Sequence, residues 1–167
     1  SLFSFVEFSF GHVDIDNQNF QMSLYASGSS YKDGIIEYDF FYEPDTFRYM
    51  TANFQPDSYD CLRDSFIGAY RTESNPIAVE RGECSNSAQL TGNHCGSLHK
   101  KVTLQPGEEM RLVFMLGNGR SSSAAAIREK YAETAVVDAA FTALNTYWDA
   151  KRAVFQCQIP LEGLISM

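Results

Sequence analysis

The chain has 167 residues, which is the size of one domain with a core of its own. Its 13 Lys and Arg stand against 21 Asp and Glu, and the formal net charge of −8 disfavours general binding to nucleic acid or to anionic membranes, both of which need a basic face. No apolar run approaches the roughly twenty residues of a membrane span, while 13 Phe and 9 Tyr suit the pleated, half-buried surface of a sheet.

Residues 2–10, apolar and aromatic with Ser and Glu interspersed, read as a strand rather than a signal peptide, because Glu7 interrupts them and no basic flank or cleavage site is present. Position 1 is not Met, which is consistent with a piece of a longer protein. Residues 11–19 read as a strand running into a polar loop. Asp14 and Asp16 lack the glycine and glutamate of a calcium loop. Phe20, Met22 and Leu24 alternate with polar neighbours, which predicts another strand. Residues 26–30 are small and read as a turn, and Asp33-Gly34 is a second turn signal. Residues 35–43 and 46–54 flank Pro44-Asp45 as a hairpin with facing aromatics.

The stretch 57–76 mixes Asp60, Arg63, Asp64, Arg71 and Glu73 with Tyr59, Leu62, Phe66, Ile67 and Tyr70, and reads as a loop buttressed by arginine–carboxylate pairs. A short strand at 77–80, a polar loop at 81–94, a strand at 95–104, a Pro-Gly turn at 105–108 and a buried strand at 110–116 follow. The character changes at Gly119. Ser121 to Ser123 are placed to cap one helix. A second starts near Thr134, with Val137, Phe141, Leu144 and Trp148 on one apolar face that implies packing, its own sheet being one candidate. Beyond Lys151 the chain reads as extended. Strands followed by helices, without βαβ alternation, predict a mainly β fold, an antiparallel β-sandwich with a helical appendage.

Catalytic motifs are scarce. There is no GxSxG elbow, no phosphate-binding glycine loop and no GxGxxG after a strand. Gly117 and Gly119 before a helix read as a plain turn. Asp57, Asp60 and Asp64 are carboxylates close in sequence whose separation in space is open, and Tyr25, Tyr31 or Trp148 are candidate sugar-stacking rings against a default of core packing. The cysteines, Cys61, Cys84, Cys95 and Cys157, are widely spaced without CxxC, so packed thiols are expected. A zinc set of Cys84, His94, Cys95 and His99 fits poorly, because strand neighbours His94 and Cys95 point to opposite faces. No metal site is expected.

Six pieces in order carry a resemblance: residues 19–25 as NFQMSLY, 60–68 as DCLRDSFIG, Arg71 with Asn75-Pro76, 93–96 as NHCG, 104–108 as LQPGE, and 147–149 as YWD. With them the chain resembles the inverting β-glycoside phosphorylases of the cellobiose, cellodextrin and chitobiose phosphorylase type. The resemblance implies that residues 1–119 are the later part of a galactose-mutarotase-like supersandwich and 120–152 are two linker α-helices. It implies that 153–167 lead into an (α/α)6 catalytic barrel missing from this chain.

It further implies a cytoplasmic, homodimeric glycosyltransferase. That enzyme would phosphorolyse β-linked oligosaccharides with inversion, inorganic phosphate being co-substrate and no cofactor being required. The catalytic acid would lie outside the chain. Asn19, Gln21, Tyr31, Arg63, Asp64 and Arg71 are the candidates for loops at the substrate entrance or dimer interface. A stand-alone carbohydrate-binding or scaffold β-domain is the alternative, and a small hydrolase has no motif in support.

Overall fold

A computed structural model describes residues 1–8, 25–41 and 47–154. The readings at residues 9–24, at the Pro44-Asp45 turn and at 155–167, including Asn19, Gln21 and Cys157, lie outside the described residues. The chain forms two compact units, Ser1–Ala132 and Glu133–Met167.

Among the described residues the first unit contains two four-stranded antiparallel sheets. In sheet one, β7 (His94–Lys100) is central. On one side it pairs with β6 (Ser58–Leu62), and on the other with two short strands in tandem, β1 (Leu2–Phe3) and β2 (Val6–Glu7). Between the two pieces the Ser4 hydroxyl donates to the Leu98 carbonyl at 3.1 Å and accepts from its N–H at 3.0 Å, so pairing passes through a side chain there. Sheet two runs β3 (Ser27–Lys32), β4 (Ile35–Phe40), β5 (Phe47–Ala52) and β8 (Phe114–Asn118) in that order. The hairpin read at 35–54 is present as β4–β5, with Ile36 opposite Met50.

Strand alternation builds the layers. Ile36, Met50, Ala52, Cys61 and Leu98 meet between the sheets as the main core. The outer face of sheet one carries Cys95 into a second cluster with Phe66, Ile67, Ala78 and Cys84. These come from α1 (Arg63–Ile67), α2 (Ile77–Arg81) and the loop after α2. The outer face of sheet two carries Ile35 and Tyr49 against Ala124 of α3 (Ser121–Lys130). The layers therefore run helices, sheet, sheet, helix, as in the expected β-sandwich.

Several expectations are corrected. Residues 26–30 do not form a turn: Ser27 to Ser30 belong to β3. Their smallness serves close packing, because a Cβ on Gly28 would meet the Phe41 ring at 3.1 Å and the Leu90 carbonyl at 3.3 Å. Residues 77–80 are helical, not extended. Pro76 at the N-cap and left-handed Gly82 at the C-cap (φ 82°) bracket one helical turn, and Gly82 N–H donates to the Ala78 carbonyl at 2.9 Å. The stretch 57–76 is strand β6 plus helix α1 before it becomes loop. β7 stops at Lys100, and β8 starts only at Phe114.

Ser121–Ser123 do not cap α3. Its N-cap is Arg120, without a side-chain cap bond, and the Glu37 carboxylate of β4 accepts from Ser121 N–H instead. A carboxylate at a helix start satisfies an orphan donor and the helix dipole together. The second helix is present as α4 (Thr134–Arg152). Most of its expected packing face is uncovered: Phe141, Leu144 and Trp148 are at least half exposed.

Ile36 and Leu98 are both fully buried where the sheets meet. Ile36→Ala removes apolar contact and leaves a void, and is expected to cost roughly 2–5 kcal/mol. A shift of that size in a urea unfolding midpoint checks the inter-sheet core, and a shift near zero would place Ile36 outside it.

Candidate functional site

The segment that stood out in the sequence is held from both of its ends. At the front, β6 delivers Asp60 to the outer side of sheet one with no solvent exposure. Its carboxylate accepts from Ser85 Oγ at 2.6 Å, Ser87 Oγ at 2.7 Å and the Ser85 and Ser87 N–H groups at 3.1 Å each. A buried carboxylate persists only with such complete hydrogen bonding. The bonds fasten the polar loop after α2 to β6, and Asp60 forms a parallel bridge with Ser87.

Two arginines brace the part that follows. Arg63 opens α1, and its guanidinium binds Glu7 of β2 and, at 3.1 Å, Glu73 of the loop. Burial works against its charge, yet the two carboxylates prevail and raise its pKa. Arg71 binds Glu80 of α2 and, at 3.3 Å, the Asn75 carbonyl. Asp64 is exposed in the first turn of α1. Arg63, Asp64 and Arg71 thus share one segment, as expected of a buttressed loop.

Between the two arginines sits Tyr70, fully exposed and with φ 59°. A left-handed aromatic residue is a backbone outlier. Nothing in the sequence marked it, because no turn residue occupies that position.

Tyr31, the remaining described candidate, lies elsewhere. It belongs to β3 and stacks on Tyr59 of β6 with ring centroids 3.6 Å apart and planes 11° from parallel. Gln55 donates to its hydroxyl at 3.3 Å, and burial raises its pKa. The pair spans the two sheets at one end of the core, so Tyr31 acts as inter-sheet packing as well as a partly exposed ring.

The other carboxylates near β6 are committed. Asp57 accepts from Lys101 N–H at 2.7 Å and Lys100 Nζ at 3.0 Å, and these bonds hold its carboxyl below the usual range. Asp57 and Asp60 therefore face bound donors, not an open cleft.

The histidines and cysteines take up the alternation of β7. His94 points between the sheets. Its Nε2–H donates to the Ser27 carbonyl at 3.2 Å, and Nδ1 meets the Ser29 hydroxyl at 2.7 Å. His99 points to the outer face, stacked on Phe3 at 4.3 Å, with Ser58 Oγ 2.9 Å from Nδ1. His94 and Cys95 lie on opposite faces, and among the described residues no cluster of three His, Cys, Asp or Glu converges. Burial pushes the Cys61 and Cys84 thiols up to about 12 and raises Cys95 as well, so these free thiols stay protonated and packed.

Two outcomes test this arrangement. Asp60→Ala strips four donors of their acceptor and is expected to cost about 3 kcal/mol in denaturant unfolding. A loss under about 0.5 kcal/mol would mean that water replaces the carboxylate freely. Burial also lowers the pKa of both His94 and His99 from 6.5. The unfolded chain then takes up protons that the fold resists, so stability present above about pH 6.5 is lost as the pH falls below it. Imidazole proton NMR should show both midpoints below 6.5, and a midpoint above it at either site would reverse the sign.

Comparison with known proteins gives these features a lineage. Residues 1–134 match the family model described as glycosyl hydrolase 94, supersandwich domain. The chain is 54% identical to N,N'-diacetylchitobiose phosphorylase of Vibrio proteolyticus, over all of this chain and 21% of the relative. It is 51% identical to the enzyme of the same name from Vibrio furnissii, with the same coverage. A 3-O-beta-D-glucopyranosyl-beta-D-glucuronide phosphorylase of Paenibacillus borealis is 32% identical over 67% of this chain. The chain thus spans about a fifth of the length of the first two relatives. It belongs to the glycosyl hydrolase 94 supersandwich family.

Proposed function

We propose that the chain is the supersandwich part of a glycoside phosphorylase acting on N,N'-diacetylchitobiose. The observation that carries this reading is the identity of 54% to a phosphorylase of that name along the whole chain. The reaction is a single displacement. Phosphate oxygen bonds to the anomeric carbon as the glycosidic C–O bond breaks, a carboxylic acid protonates the leaving sugar oxygen, and the β-linkage becomes an α-sugar 1-phosphate. Inorganic phosphate is a co-substrate, and the chemistry calls for no cofactor.

Within this reading the supersandwich supplies positioning rather than proton transfer. Asp60 is saturated by hydrogen bonds, and Asp57 is ionised by its lysine and amide donors, so neither is suited to be the acid. The acid belongs to a part of the longer enzyme outside this chain, and the isolated domain is inactive. The loop braced by Arg63 and Arg71, with Asp64 beside it, borders the substrate entrance or the interface of a cytoplasmic homodimer. Asn19, Gln21 and Tyr31 belong to the same role. Cellobiose and longer cellodextrins are the competing substrates.

The intact protein, given N,N'-diacetylchitobiose and phosphate, is expected to release N-acetylglucosamine and its α-1-phosphate. Absence of phosphate uptake on this disaccharide, on cellobiose and on cellodextrins would overturn the reading. Arg71→Ala is expected to raise the KM of the acceptor sugar in the synthetic direction about fivefold, or to shift the molecular mass toward monomer. Unchanged kinetics and unchanged mass would remove the loop from both roles.

A further inference from the structure

A cleft of about 460 Å³ lies where the end of β5 meets α3 and is lined by Asn53, Phe54, Gln55, Ala125, Arg128, Glu129 and Ala132. It is separate from the arginine-braced loop and shares no residue with it. Its volume is within the roughly 300–1,000 Å³ of small-molecule sites.

Its walls differ in chemistry. Phe54 offers a half-buried ring, held edge to face against Phe114 at 5.3 Å. Asn53 is fixed and structural, accepting from Val113 N–H at 2.9 Å and donating to the Ala132 carbonyl at 3.3 Å. It locks the strand end to the end of α3 and holds the cleft in shape. Arg128 donates to the Asp33 carbonyl. Among the described residues its guanidinium has no carboxylate partner, and Glu129 has no cationic one. Gln55 is exposed at the rim.

The cleft therefore brings together an aromatic wall, a guanidinium and an amide as donors, and a carboxylate as acceptor. Arg128 and Glu129 cancel in net charge, and the chain as a whole is at −8, so an isolated anion such as phosphate gains little here. A neutral ligand with an apolar face and a rim of hydroxyls meets every wall. Its C–H face covers the ring, and its hydroxyls accept from the guanidinium and donate to the carboxylate.

We propose that this cleft is a saccharide-binding site of the supersandwich that holds one end of an oligosaccharide. It goes beyond the phosphorylase reading and does not need it.

Hydrogen–deuterium exchange of the intact protein with N-acetylglucosamine and glucose oligosaccharides tests it, with inorganic phosphate alone as a separate arm. Oligosaccharide is expected to protect peptides covering 53–55 and 125–132. In the Gln55→Ala/Glu129→Ala double variant, both positions being exposed, the sugar concentration for half protection should rise at least about tenfold. Phosphorolytic kcat and the thermal midpoint should not change. Phe54→Leu keeps the apolar packing but removes the ring, and should weaken protection similarly.

No protection at either segment would overturn the proposal, as would protection by phosphate alone or protection unaltered in the double variant. Loss of phosphorolysis in the unmodified protein would fault the enzyme reading only, and protection at the cleft would still stand.

Discussion

The carboxylate of Asp60 is where the outer side of the first sheet is anchored. It sits on β6 with no exposure and draws in two serine hydroxyls and two backbone amides. The loop carrying Ser85 and Ser87 has almost no regular structure of its own, and these bonds join backbone bonds to β3 and β6 in setting its course. Cys84 of that loop packs with Phe66, Ile67, Ala78 and Cys95. The same cluster packs α1 and α2 on the sheet, and the arginines clasp the intervening loop. One buried side chain, bonded to neighbours about 25 residues away, thus helps to hold the surface that carries the two arginines.

β7 connects that surface to the rest of the domain. Its odd positions, Cys95, Ser97 and His99, face the helices, and its even positions, His94 and Leu98, face the second sheet. Both faces are buried, which explains why a strand containing two histidines, a glycine and a serine is almost wholly inaccessible. His94 is kept inside by Ser27 and Ser29, and His99 by Ser58 and the Phe3 ring, with its buried Nε2 left without a hydrogen-bond partner among the described residues. The apolar alternation of a half-solvated strand is absent because neither side is solvated.

Much of the fold was legible because it follows from short-range rules. The hairpin at β4–β5 showed in its facing aromatics, the Asp33-Gly34 turn in its residue pair, the first long helix in the serine run before it and the second in its apolar spacing. The failures came where a residue's cue has two meanings. Small residues at 26–30 read as a turn, but they form a strand because Phe41 and the Leu90 backbone press against Gly28. Residues 77–80 read as a strand, yet Pro76 and Gly82 together bracket a helical turn there. For the candidate site, the pairing of Arg63 and Arg71 with carboxylates was expected from composition. Their particular partners, Glu7 and Glu80, were not, and neither was the exposed Tyr70 or the cleft beside Phe54.

The sequence by itself determined the class of the protein: antiparallel strands, then helices, with a run of motifs shared with phosphorylases. Those properties are local or textual, carried by residue order and period. Only the tertiary structure decided which carboxylates are spent. Asp57, Asp60 and Asp64 look alike in sequence. Asp60 is buried because a distant loop brings it donors, Asp57 is pinned by two lysines of β7 and its end, and Asp64 is left in solvent. Their chemistry depends on burial and on partners far along the chain, and neither is written in the neighbourhood of the residue itself.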